Sequence, residues 1–172
     1  MTIFLIGYMG SGKSTVGKKL ASVLNFEYVD LDAFIENKEG KSISELFSGK
    51  GEIYFRKVES HYLKELLSKE RTIVSLGGGT PCYGNNMQGI SAANDSKCIY
   101  LKASIPNLVQ RVFGERKKRS LIAHLGNKNE LTEFIGKHLF ERSFYYQKAD
   151  ATISVDDKSV DTIVEDIVKT LF

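Results

Sequence analysis

Cysteine is scarce in this chain: Cys82 and Cys98 are the only two, and neither has a histidine beside it in sequence. Two such residues make no disulfide framework, which excludes the stapled secreted folds and leaves a reducing cytoplasm as the expected setting. Proline is almost as rare, with Pro81 and Pro106 alone, so no proline-rich linker divides the 172 residues. One domain spanning 1–172 is expected, with room for a real core. No apolar run approaches a membrane span. Ile3 to Ile6 is too short for a signal peptide and runs straight into glycine, so no such peptide is expected. Charge of one sign is lacking too: 24 Lys and Arg face 21 Asp and Glu, for a net charge of +3. That is too little for nucleic acid or an anionic membrane to be the main partner. There are no repeats and no low-complexity segment.

What is present is more telling. Hydrophobic residues at 42% and charged residues at 26% describe an ordinary soluble globular composition. Gly7-Tyr8-Met9-Gly10-Ser11-Gly12-Lys13-Ser14-Thr15 fits a phosphate-binding loop: Gly, four residues, then Gly-Lys-Ser. The apolar run Ile3-Phe4-Leu5-Ile6 precedes it, and Val16, Leu20, Ala21, Val23 and Leu24 follow at helical spacing. Strand, glycine loop, helix is the context this motif needs. Glycines let successive N–H groups point at phosphate oxygens, and the helix N-terminus adds its dipole. Lys13 is expected on the outer phosphates and Ser14 on a magnesium ion.

Further along, Phe26 to Asp30 reads as a second strand ending in carboxylates. Asp30 and Asp32, two residues apart, would share the ligand edge of a parallel sheet; alternatively Asp32 caps the helix that follows. Ser42 and Glu45 form a capping box. Gly49 and Gly51 are expected to break that helix before a longer one carrying Phe55, Val58, Tyr62 and Leu66. Arg56 and Glu59 stand three residues apart, either as a surface ion pair of little energy or with Glu59 aiming Arg56 at an anion. Thr72 to Leu76 is a strand running into Gly77-Gly78-Gly79, and three glycines there allow close backbone approach. Lys97 to Leu101 and Ala149 to Val155 read as further strands, with helices from Ser104, over Glu130 to Tyr146 and over Ser159 to Leu171. The basic stretch Gly114 to Ser120 is a solvated loop or a lid that brings an Arg over the transferring phosphate. Five β-prone runs alternating with helices make a doubly wound α/β sheet of mainly parallel strands.

In order and spacing over nearly the whole chain, these residues resemble the shikimate kinase family. The resemblance rests on the loop 7–15, Asp30-x-Asp32 with Ile35-Glu36, Gly51-Glu52-x-x-Phe55-Arg56-x-x-Glu59, Gly77-Gly78-Gly79, Arg119 before Leu121, and Arg142 with Tyr146. It implies a P-loop NTPase-type three-layer α/β/α fold with a five-stranded parallel sheet. It also implies a substrate-binding region at about 32–60, a mobile lid at about 114–127, and ATP, Mg²⁺ and shikimate as ligands of a monomer. Asp32, Lys13 and Arg119 would be catalytic, with Asp32 taking the proton of the attacking hydroxyl. Gly10, Ser11, Gly12, Lys13, Ser14, Thr15, Arg111 and Arg119 would bind the nucleotide, with Arg111 near the adenine. Ser14 and Asp30 would hold the metal. Arg56 and Arg142 would grip the shikimate carboxylate, Gly77, Gly78 and Gly79 would approach the substrate, and Phe47 and Phe55 would line its pocket. An ordinary carboxylate pKa makes Asp32 a weak base, acceptable where a loose transition state releases the proton late. The family lid carries Pro where this chain has Ser120, and Arg116 is the second candidate for the Arg119 role. A related kinase such as a gluconate kinase, set apart by Gly77-Gly78-Gly79 and Phe55-Arg56, is the second reading. A nucleotide-dependent RNA-binding module is the third.

Overall fold

The computed structural model describes residues 1–119 and 121–172; Ser120, the departure from the family lid, lies outside the described residues. Among the described residues, five strands alternate with seven α-helices. The order is β1 (Thr2–Ile6), α1 (Lys13–Leu24), β2 (Glu27–Asp30), α2 (Leu31–Glu39), α3 (Ile43–Leu67), β3 (Thr72–Ser75), α4 (Asn86–Ala92), β4 (Ser96–Lys102), α5 (Ile105–Phe113), α6 (Lys128–Tyr146), β5 (Ala151–Ser154) and α7 (Val160–Leu171). The strands form one sheet in the order β2-β3-β1-β4-β5, with every pairing parallel. Among the described residues no helix is long and apolar enough to cross a membrane.

β1 is central and buried along its whole length, which explains its unbroken apolar run. Its side chains alternate between faces. Ile3 and Leu5 join a core completed by α1, α5, α6 and α7. Phe4 and Ile6 join a second core with α2, α3 and α4. Three layers result, as expected. Parallel strands leave their carboxyl ends on one edge, where Gly7, Asp30 and Gly77 emerge side by side.

Local chemistry sets the helix starts. The capping box at Ser42 is complete: Ser42 Oγ accepts from Glu45 N–H at 3.2 Å and Ser42 N–H donates to Glu45 Oε2 at 2.7 Å. Within α3 the break falls at Gly51 alone, with φ 83° and ψ 170°, while Gly49 stays helical. The cap of α2 is Asp30 rather than Asp32: Asp30 Oδ1 accepts from Ala33 N–H at 3.2 Å. One residue thus ends the strand and starts the helix, and Asp32 in the first turn is released from capping. α6 begins at Lys128, two residues before the expected Glu130, because Asn127 caps it by accepting from Glu130 N–H at 2.9 Å. The seven-residue α4 carries no side-chain cap and has no counterpart in the sequence reading.

Candidate active site

The phosphate loop folds as its motif requires. Lys13 Nζ donates to the Gly7 and Tyr8 carbonyls at 2.8 and 3.0 Å, so the ammonium lies against the loop it is meant to serve. Burial pulls this lysine down to about 8, opposed by the carboxylates of Asp32 and Asp30. Gly10, Gly12, Lys13, Ser14 and Thr15 line a cavity of about 560 Å³. Arg111 and Arg119 also line it, with Arg111 Nη1 donating to the Gly10 carbonyl at 3.2 Å. Ser11 differs from its neighbours: its side chain is buried and its N–H is spent on the Tyr8 carbonyl at 3.1 Å, so it does not line the cavity.

Asp30 has two tasks. Its Oδ1 caps α2 while its Oδ2 accepts from Ser14 Oγ at 3.3 Å. A hydroxyl and a carboxylate are hard oxygen donors. Among the described residues no cluster of three His, Cys, Asp or Glu could enclose a metal. This donor set fits Mg²⁺, which keeps most of its shell as water and phosphate and takes only one or two protein oxygens.

Beside this cavity lies a second of about 290 Å³, lined by Phe47, Phe55, Arg56, Gly79 and Arg142. Asp32, Gly77, Gly78 and Arg119 line both. The two are therefore one crevice, hinged on a carboxylate and a guanidinium. The Asp32 carboxyl does not keep an ordinary value: burial, with the negative charges of Asp30 and Glu59, pushes it up to about 6. That makes it a better base than expected from sequence.

Arg56 is held from below. Glu59 is 1% exposed, so the surface-pair reading is excluded; it accepts from Arg56 Nη1 at 2.9 Å and from Thr80 Oγ at 2.6 Å. Asn86 Nδ2 donates to the Thr80 carbonyl at 2.9 Å. The Tyr83 ring lies 3.9 Å from Arg56 Cζ, and its hydroxyl donates to Glu52 at 2.9 Å. Each oxygen of the buried Glu59 carboxylate thus has its own partner, Oε2 on Arg56 and Oε1 on Thr80, as burial of a charge requires. Thr80, Tyr83 and Asn86 escape sequence reading because they sit in a short turn and in α4, where no periodic pattern marks them.

The glycine run makes room for these groups. A Cβ on Gly79 would lie 2.8 Å from Arg56 Nη2, and one on Gly78 would lie 3.2 Å from Arg142 Nη1. The Tyr146 hydroxyl donates to the Gly78 carbonyl at 2.5 Å, fixing the run from α6. In the segment expected to form a lid, Arg119 pairs with Glu115 at 3.1 Å and lines both cavities. Arg116 instead donates to the Leu125 and Phe113 carbonyls at 3.1 and 2.9 Å, which ties it to the end of α5.

Comparison with known proteins identifies the family and the fold. The shikimate kinase family profile matches residues 9–172. A shikimate kinase of Flavobacterium johnsoniae is 46% identical over 170 residues, covering 98% of both chains. The crystal structure of a Bacteroides thetaiotaomicron shikimate kinase superposes with a TM-score of 0.91 at 32% identity, over 99% of this chain and 98% of that one. A shikimate kinase from Acinetobacter baumannii in complex with shikimate superposes with a TM-score of 0.88 at 29% identity, over 99% and 92%.

Proposed function

The chain belongs to the shikimate kinase family, and from that premise we infer that it transfers the γ-phosphoryl group of ATP to the 3-hydroxyl of shikimate, giving shikimate 3-phosphate and ADP. It is an ATP-dependent phosphotransferase with an alcohol acceptor, serving aromatic amino-acid biosynthesis. The observation that carries the assignment of roles is the shared wall of the two cavities: Asp32 and Arg119 border both, where donor phosphate and acceptor hydroxyl must meet.

Phosphoryl transfer needs alignment and charge neutralisation more than covalent help. Lys13 and Arg119 supply cationic charge around the moving group, and Arg111 lies towards the adenine. Asp32 accepts the hydroxyl proton. Arg56 and Arg142 offer planar guanidinium forks to the shikimate carboxylate, which suits Arg better than Lys. Gly77, Gly78 and Gly79 bring backbone against the substrate, and Phe47 and Phe55 face its ring. Ser14 and Asp30 would hold Mg²⁺, which neutralises phosphate charge when bound. In the same proposal the chain is a single kinase domain with a lid over 114–127. It acts as a cytoplasmic monomer, and its small net charge argues against nucleic-acid and membrane partners.

The test is ADP release with ATP and Mg²⁺, comparing shikimate, gluconate, AMP and no acceptor. Release dependent on shikimate alone is expected; release with gluconate alone would keep the phosphate site and overturn the acceptor site. A finer test uses Gly79→Ala. Its Cβ drives Arg56 off the carboxylate, and losing one charge-assisted contact should raise the KM for shikimate about 10- to 100-fold with the KM for ATP unchanged. An effect confined to ATP would show that Arg56 serves the other ligand.

A further inference from the structure

Tyr8, the second residue of the phosphate loop, is 1% exposed and carries a hydroxyl the transfer chemistry does not use. That hydroxyl lies 3.0 Å from His138 Nδ1 on α6, 130 positions away in sequence. Burial pushes the phenol up to about 12, so it remains a donor. Burial and the nearby Arg142 hold His138 below its ordinary value, and the tautomer protonated at Nε2 accepts the phenol proton at Nδ1. The Tyr8 backbone carbonyl accepts from Lys13 Nζ at 3.0 Å. The face of the Tyr8 ring is 5.6 Å from Arg142 Cζ, about one helical turn beyond His138. His138 also packs against the Phe134 ring, with centroids 4.5 Å apart and planes inclined by 57°, and Phe134 meets His124 edge-on at 6.4 Å.

We propose that Tyr8 and His138 form a positioning clasp, which holds the phosphate loop and Lys13 at a set distance from Arg142 on α6. The proposal rests on the functional reading above in two respects, that Lys13 serves the phosphoryl donor and that Arg142 serves the acceptor. The Lys13 side of the loop carries the phosphoryl donor, and the Arg142 side carries the acceptor. The clasp keeps the two aligned. Neither residue touches the reacting atoms, so both act through the groups they hold.

Four variants test it: Tyr8→Phe, His138→Leu, the two combined, and His138→Asn, whose Oδ1 falls where Nδ1 was. Misalignment predicts that either single change lowers kcat about 5- to 20-fold per folded site, with both KM values within about twofold. The double variant should be no worse than His138→Leu, because both changes remove the same bond. His138→Asn should recover most of the loss. Hydrogen–deuterium exchange of residues 7–12 should rise in Tyr8→Phe with little change in melting temperature, a readout that does not depend on which acceptor is used. Losses that add in the double variant, or unchanged exchange in the loop, would overturn the clasp. Loss of melting temperature with kcat per folded site intact would reduce the pair to packing.

Discussion

Replacing Asp32 by Asn is expected to lower kcat by roughly 10²- to 10⁴-fold, the range for removing a positioned general base. Asn keeps the shape and still accepts the substrate hydroxyl, so the KM for shikimate should hold within a few-fold. A loss below about tenfold would remove Asp32 as the base. The same substitution should stabilise the protein. The Asp32 carboxyl rises from 3.8 to about 6 on folding, so between those values the folded state binds the proton that the unfolded state has released. Stability therefore falls as pH rises through that window. At neutral pH the ionised group costs about 1–2 kcal/mol, allowing for its partial exposure to water. The Asp32→Asn variant should melt above the wild type at pH 7.5, and the gap should close towards pH 4. Equal melting temperatures at both pH values would show that Asp32 is not held at that cost.

Lys13→Met should reduce turnover by about 10³-fold or more, since it withdraws a preorganised positive charge from the transferring phosphoryl group. The fold should survive. The folded lysine sits at about 8 against an ordinary 10.5, so the unfolded state binds more protons between these values and stability rises with pH across them. At neutral pH the buried ammonium is thus a cost that Met removes, and the melting temperature should stay level or rise. Wild-type turnover would take Lys13 out of the phosphate site, and a collapsed fold would make it structural. In the parent protein, with each substrate well below its KM, kcat/KM should rise with pH through about 6 as Asp32 ionises. It should fall through about 8 as Lys13 loses its proton.

Much of the fold is legible in the chain because its signals are local. The five strands are apolar or β-branched runs, each ended by glycine, acid or a helix cap, and their alternation with helices leaves a parallel sheet as the simple solution. The capping box at Ser42 was readable from two side chains three residues apart, and the helices expected from Ser104 and from Ser159 form with those serines as their caps. Where reading slipped, two local candidates competed. Asp30 and Asp32 could each cap α2, and the choice fell to Asp30 because the strand ends there and its oxygen meets Ala33 N–H. Gly49 and Gly51 could each break α3, and only Gly51 takes the left-handed backbone.

The chain alone specified the phosphate loop, the paired acids at the end of β2, the Phe-Arg-x-x-Glu pattern and the glycine run, because each is a short motif whose chemistry follows from residue type and spacing. Only the tertiary structure decided how those motifs meet. It made Asp32 and Arg119 common to two cavities and buried Glu59 against Thr80. It raised the Asp32 carboxyl to about 6 and brought Tyr8 to His138 across 130 positions. Burial and long-range proximity belong to the packed chain rather than to any window of it, and they are what turn a set of motifs into a site.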